Sequence, residues 1–179
     1  MTFKRTTLAP ASGFSTGVGY YMSALDEIRE QLRETVAGLS DEQLAARVVP
    51  GAHSIGALVL HVGESEWWWT RCVIGGHAMT DEDRQQPFWD VLLRPEEFAQ
   101  KGYSAAFCLE AIDEIRAGTR DSLSSFTDED LDRIYSHALD GRTLDVSLRW
   151  TLHHLADHEA QHKGQILLLK RLLDAHGGR

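Results

Sequence analysis

Cysteine is scarce in this chain: Cys72 and Cys108 are the only two among 179 residues. They form neither a disulfide framework nor a C-x-x-C site. Positive charge is also short. Lys and Arg number 18 against 27 Asp and Glu, a formal net charge of -9. With no basic run to neutralise phosphates, nucleic acid is excluded as a main partner. No stretch approaches the roughly 18 unbroken apolar residues of a membrane span, so no membrane partner is expected. The opening MTFKRTTLAPASGFSTG has no apolar core of a signal peptide, which makes the cytoplasm the expected location. Four prolines and few β-branched runs favour helix. What is present, 42% apolar and 25% charged residues, is ordinary for a globular protein. One domain over 1–179 is the simplest division.

Apolar residues recur at helical spacing in four long segments. From Ser15 to about Gly38 the series is Val18, Tyr21, Leu25, Ile28, Leu32 and Val36. Ser40-Asp-Glu-Gln43 reads as a capping box that opens a short helix to about Arg47. Ser54 caps a second long helix over about 54–74, stopped by Gly75-Gly76. Residues 77–103 read as a long connection with one or two short helices. Ser104 begins a third long helix, about 104–124, with Cys108, Ile112, Ile115 and Leu123 inward. Thr127-Asp-Glu-Asp130 opens another short turn, and the last helix is expected over about 144–175. The pattern predicts an all-α four-helix bundle with a longer crossover between the second and third long helices.

His154, His158 and His162 stand four apart on the last helix, so they share one face. The apolar stripe around them reads Leu148, Leu152, Leu155, then Ile166, Leu169 and Leu173. His158 and His162 fill the gap in that stripe and therefore point inward. Buried imidazoles need partners, and a transition metal satisfies two at once. The competing reading is a set of hydrogen-bonded core histidines. A third ligand has to come from upstream, where His61 is the best placed, mid-helix with small Ala57 and Ser65 one turn to either side. Taken alone, His61 reads more simply as a buried, hydrogen-bonded histidine. His53 and His77 fall at element ends and are expected in solvent, as are His137 and His176.

His158-Glu159-Ala160-Gln161-His162 also matches the H-E-x-x-H pattern of zinc peptidases. The extended form of that pattern wants Gly and His where this chain has Gln165 and Leu168. No strand signal supplies the edge on which such enzymes align a peptide.

Two segments together, SIGALVLHVGESEWWW (54–69) and LRWTLHHLADHEAQHKGQI (148–166), resemble the DinB-like family. The first is similar to that family's second-helix pattern of serine cap, apolar residues, histidine, then an acidic and aromatic run. The second is similar to its last-helix pattern, here His154, His158, Glu159, His162, Lys163, Gly164 and Gln165. The resemblance spans nearly the whole chain. It implies a four-helix bundle with one divalent metal held by His61, His158 and His162. Zinc is the first expectation for three imidazoles with an open position, and nickel also suits them. Some members are thiol transferases or isomerases that use a low-molecular-weight thiol as cosubstrate.

The resulting expectation is a metal-dependent transferase acting with such a thiol on a small molecule. Glu159 is about 100° round the helix from His158 and is carried forward as a base or a support for the ligands. His154 and Gln165 are expected to orient ligands or substrate, with His154 also a candidate fourth ligand. Trp67, Trp68 and Trp69 spread over an arc of about 200°, and Trp68, two turns past His61, is expected near the site. A homodimer is the simplest cover for leftover apolar surface. The rivals are a metal-stapled, non-catalytic binding or stress protein and, last, an H-E-x-x-H peptidase.

Overall fold

The computed structural model describes residues 7–139 and 141–177, with side chains to residue 175. Four long helices form the bundle: α1 (Thr16–Val36), α3 (Ile55–Trp67), α6 (Ala105–Leu123) and α7 (Leu148–Gly177). Between them lie the short helices α2 (Asp41–Ala45), α4 (Asp81–Arg84) and α5 (Pro95–Lys101). α3 packs against α6 and α7, α1 packs against α7, and α1 meets α6 to close the ring. The helix starts follow from side-chain chemistry. Ser54 accepts from the Ala57 amide and Ser104 from the Phe107 amide, while Ser40 and Gln43 form the expected capping box. The crossover from α3 to α6 lays Phe88, Val91 and Phe98 into the core at one end. Gly63 allows α3 to approach α6 closely, since a Cβ there would stand 2.8 Å from Ile112 and 2.9 Å from Ile115.

Three features depart from the sequence reading. First, α3 does not end as an α-helix. At Trp68 it widens into a π-helix that runs to Ile74, with Gly75 N–H donating to the Thr70 carbonyl at 3.0 Å. Second, the last helix begins at Leu148 rather than near residue 144. The preceding residues form an antiparallel hairpin, β1 (Ile134–Leu139) and β2 (Arg142–Ser147), with Leu139 opposite Arg142. Its sequence signal was present: Asp140-Gly141 between two alternating runs is the commonest two-residue hairpin signature. Gly141 takes the positive φ of 75° that such a turn requires. Third, the buried stripe of α1 is Val18, Met22, Leu25, Arg29, Leu32 and Val36. Tyr21 and Ile28 are only half-buried. The stripe is rotated because an arginine occupies the core.

That arginine belongs to a cluster with one member from each long helix. Arg29 (α1), Glu66 (α3), Arg116 (α6) and Glu159 (α7) are all buried. Arg29 Nε donates to Glu159 at 2.6 Å, Nη2 to Glu66 at 2.8 Å, and Nη1 to the Ile112 carbonyl at 2.6 Å. Arg116 donates to Glu66 through Nε (2.7 Å) and Nη2 (3.1 Å), and through Nη2 also to Glu159 (2.9 Å). Two cations and two anions cancel inside the bundle. Burial would raise the Glu66 pKa, but Arg116 and Arg29 outweigh it and hold the carboxyl below its usual range. No helix among the described residues is long and apolar enough to cross a membrane.

Candidate metal centre

His61 on α3 faces His158 and His162 on α7 across the interface of these helices. Ring centroids lie 5.1 Å apart for His61–His158, 5.0 Å for His61–His162 and 4.4 Å for His158–His162. One donor nitrogen from each lies within 4.8 Å of the other two. His158 Nε2 and His162 Nε2 are 3.1 Å apart. Two imidazole nitrogens on one tetrahedral zinc would be about 3.3 Å apart, given Zn–N bonds of about 2.0–2.1 Å. The helix pair is therefore already at ligand spacing, and the donor set fits a divalent transition metal.

The other ring nitrogens are held from outside. His61 Nδ1 is 2.8 Å from Glu64 Oε2, and a carboxylate there makes Nδ1 the protonated nitrogen. His162 Nδ1 donates to Gln165 Oε1 at 3.0 Å. Both contacts leave the Nε2 lone pair turned to the cluster. Glu64 is itself fixed, because its other oxygen accepts from the Asp90 amide at 2.6 Å. Asp90 carries a positive φ of 52°, unusual for a non-glycine residue, so the crossover turn bends to present that amide. His158 and His162 are both held toward the neutral, ligating state. Burial first, then His162, His61 and His154, push His158 down to about 3. His162 is lowered by burial and then by His61, and His53 adds to it from the turn before α3.

Glu159 is placed elsewhere. Its carboxylate accepts from Arg29 and Arg116 and belongs to the buried charge cluster, not to the histidines. A carboxylate engaged by two guanidiniums is not available as a base, which corrects that expectation. The cause is the roughly 100° step between neighbouring helical residues. His154 is not among the three converging histidines; its ring stacks on Trp150 and stands 5.8 Å from His158. Trp69, rather than Trp68, reaches His154. Trp68 packs on Trp69 and on His137 of β1. His137 is therefore half-buried and not free in solvent. His77 is half-buried too, 2.8 Å from Asp83, and His53 is half-buried near His162. The His176 side chain lies outside the described residues. A separate cavity of about 620 Å³ opens between the π-helix and α6, lined by Trp67, Phe88, Phe107 and Glu114 but by none of the three histidines.

Glu64 and Asp90 were missed in the sequence. Glu64 had a local signal, since a carboxylate three residues after a candidate ligand lies on the same helix face. Asp90 had none, because its part is played by a backbone amide.

Fold and site together define a helical bundle whose three-histidine cluster is compatible with a divalent metal. The chain belongs to the mycothiol S-transferase family, whose model matches residues 21–175. Among solved structures, a DinB-like protein from Bacillus cereus ATCC 10987 is 20% identical, with a TM-score of 0.61 over 87% of this chain and 91% of that chain. A conserved protein from Enterococcus faecalis is 18% identical, with a TM-score of 0.59 over 87% of this chain and 95% of that one. At these identities the likeness concerns the fold, and it agrees with the resemblance read in the sequence. No curated protein matches the chain.

Proposed function

We propose that the protein is a metal-dependent S-transferase that uses a mycothiol-type thiol, with His61, His158 and His162 as the metal ligands. Zinc is the metal we favour, with nickel second. The observation that carries the reading is the convergence of three imidazoles, two of them clamped from outside by Glu64 and Gln165, with the Nε2 atoms of His158 and His162 3.1 Å apart. When bound, the metal would supply a full positive charge that lowers the pKa of a thiol at an open position. The chain's own residues set that chemistry up. Neutral histidines leave the ion's charge undiminished, Glu64 and Gln165 fix which nitrogens face inward, and the charge cluster holds α3 and α7 at their spacing.

The cluster among the described residues numbers three His, Cys, Asp or Glu side chains. Three protein ligands suit a working site, whereas a purely structural zinc takes four. The peptidase reading loses its base, because Glu159 is held by Arg29 and Arg116.

Metal analysis of the purified protein beside His61→Ala and His158→Ala tests the proposal. About one equivalent in the wild type, lost in both variants, is expected. The loaded protein should then transfer mycothiol to a small electrophile. Metal retained by His61→Ala, or no transfer by the loaded wild type, would refute it.

A further inference from the structure

Trp150, His154, His158 and His162 follow at intervals of four along α7, each turned about 40° round the helix from the last, so successive members meet while Trp150 lies about 120° round from His162. At the N-terminal end the Trp150 and His154 rings stack, 4.8 Å apart and within 4° of parallel. Trp69 from the π-helix closes edge-on against both, at 5.2 and 5.1 Å. The aromatic row thus runs without a break from the candidate metal centre to Trp150. Yet Trp150 is 44% exposed. His154 covers one face of the indole. Among the described residues no ring lies on the other face, and the Nε1–H donates to none of them. A rigid aromatic ring with a free face and a free N–H suits a ligand that has both an apolar face and hydroxyls.

We infer that Trp150 is the platform for the sugar end of the thiol cosubstrate. The inference rests on the S-transferase reading above. Distance selects the occupant. Eight helical residues separate Trp150 from His158, about 12 Å along the axis. The electrophile has to meet the sulfur at the histidines, so it does not lie on Trp150. The far end of the thiol can. Mycothiol is a cysteinyl thiol joined by an amide to a sugar and a cyclitol. Three to four extended residue lengths, a span suited to such a molecule, cover about 12 Å. The C–H face of a sugar lies flat on indole, its hydroxyls stay at the rim, and the indole N–H can donate to one of them. Trp69 and His154 lock the platform by packing its inner face and edge. The subsite makes and breaks no covalent bond; it binds and orients.

Calorimetric titration of the metal-loaded protein tests this, with mycothiol and N-acetylcysteine amide as the two probes. Trp150→Ala should weaken mycothiol about ten-fold, and Trp150→Phe should recover most of that loss. N-acetylcysteine amide should bind all three proteins alike, and metal content should not change. Equal mycothiol affinity in wild type and Trp150→Ala, or equal weakening of both thiols, would overturn the subsite alone. Failure of mycothiol to bind the loaded wild type would overturn the subsite and the S-transferase reading together.

Discussion

Replacing Arg116 by methionine would remove a buried cation and keep most of its volume. Arg116 donates to Glu66 twice, to Glu159 once and to the part-exposed Asp26 once. Glu66 and Glu159 would then share Arg29 as their remaining buried cation, in a site where all three side chains are almost fully out of water. Breaking a buried pair by deleting one partner costs about 3–5 kcal/mol, since an uncompensated charge is left inside. For a chain of this size that is a fall in Tm of about 6–20 °C. Asp26→Asn provides the contrast: its partners are Arg116 and Arg120, but its side chain is 41% exposed, so the loss should stay below about 1 kcal/mol. A fourfold variant with Arg29, Glu66, Arg116 and Glu159 all replaced by apolar residues of similar volume should be more stable than Arg116→Met alone, because it buries no orphan charge. Urea unfolding of the metal-free proteins, followed by far-ultraviolet circular dichroism, reads all three. Arg116→Met within 1 kcal/mol of wild type, or a fourfold variant less stable than the single one, would show that the cluster is not the closed charge system described.

Two further outcomes follow from the same geometry. Glu64→Gln should weaken metal binding about 10–100-fold while leaving the three ligands in place, and competition with a chromophoric chelator would measure it; unchanged affinity would remove Glu64 from its orienting part. Glu66 also predicts an acid limb. Its folded pKa lies below the ordinary 4.5, so the unfolded chain takes up the proton more readily. Its stabilisation is present above that ordinary value and is lost as pH falls through the folded one. Denaturation midpoints of the wild type should drop more steeply below about pH 4.5 than those of Glu66→Gln, and parallel profiles would contradict the depressed pKa.

The four long helices were legible because each repeats apolar residues at helical spacing and three of them were read as starting at a serine. The histidine triplet was legible in part: His158 and His162 from their place in the stripe, His61 as the best-placed upstream candidate that the resemblance then favoured over a plain buried histidine. The charge cluster was not legible for a physical reason. Arg29, Glu66, Arg116 and Glu159 each stand on a different helix, and a lone charge beside an apolar stripe reads as its wet edge. Only tertiary contact reveals that the charges neutralise one another. That misreading turned the α1 stripe toward Tyr21 and Ile28 and left Glu159 free to be read as a base. The hairpin was missed differently, since its Asp-Gly signal was present but the helical pattern of α7 was extended back into the second strand. Trp68 was placed by assuming α-helical winding through residues where the chain winds as a π-helix.

The charge cluster also fixes how far each helix is slid along its own axis. Apolar helices can slip past one another by a turn at small cost, because one greasy contact replaces another. Arg29, Glu66, Arg116 and Glu159 meet at one level of the bundle, and a helix displaced by a turn, about 5.4 Å, would leave its charge and those of its partners unpaired in the dry interior. The cluster thus acts as a depth stop, and the depth it selects is the one at which His61 on α3 faces His158 and His162 on α7.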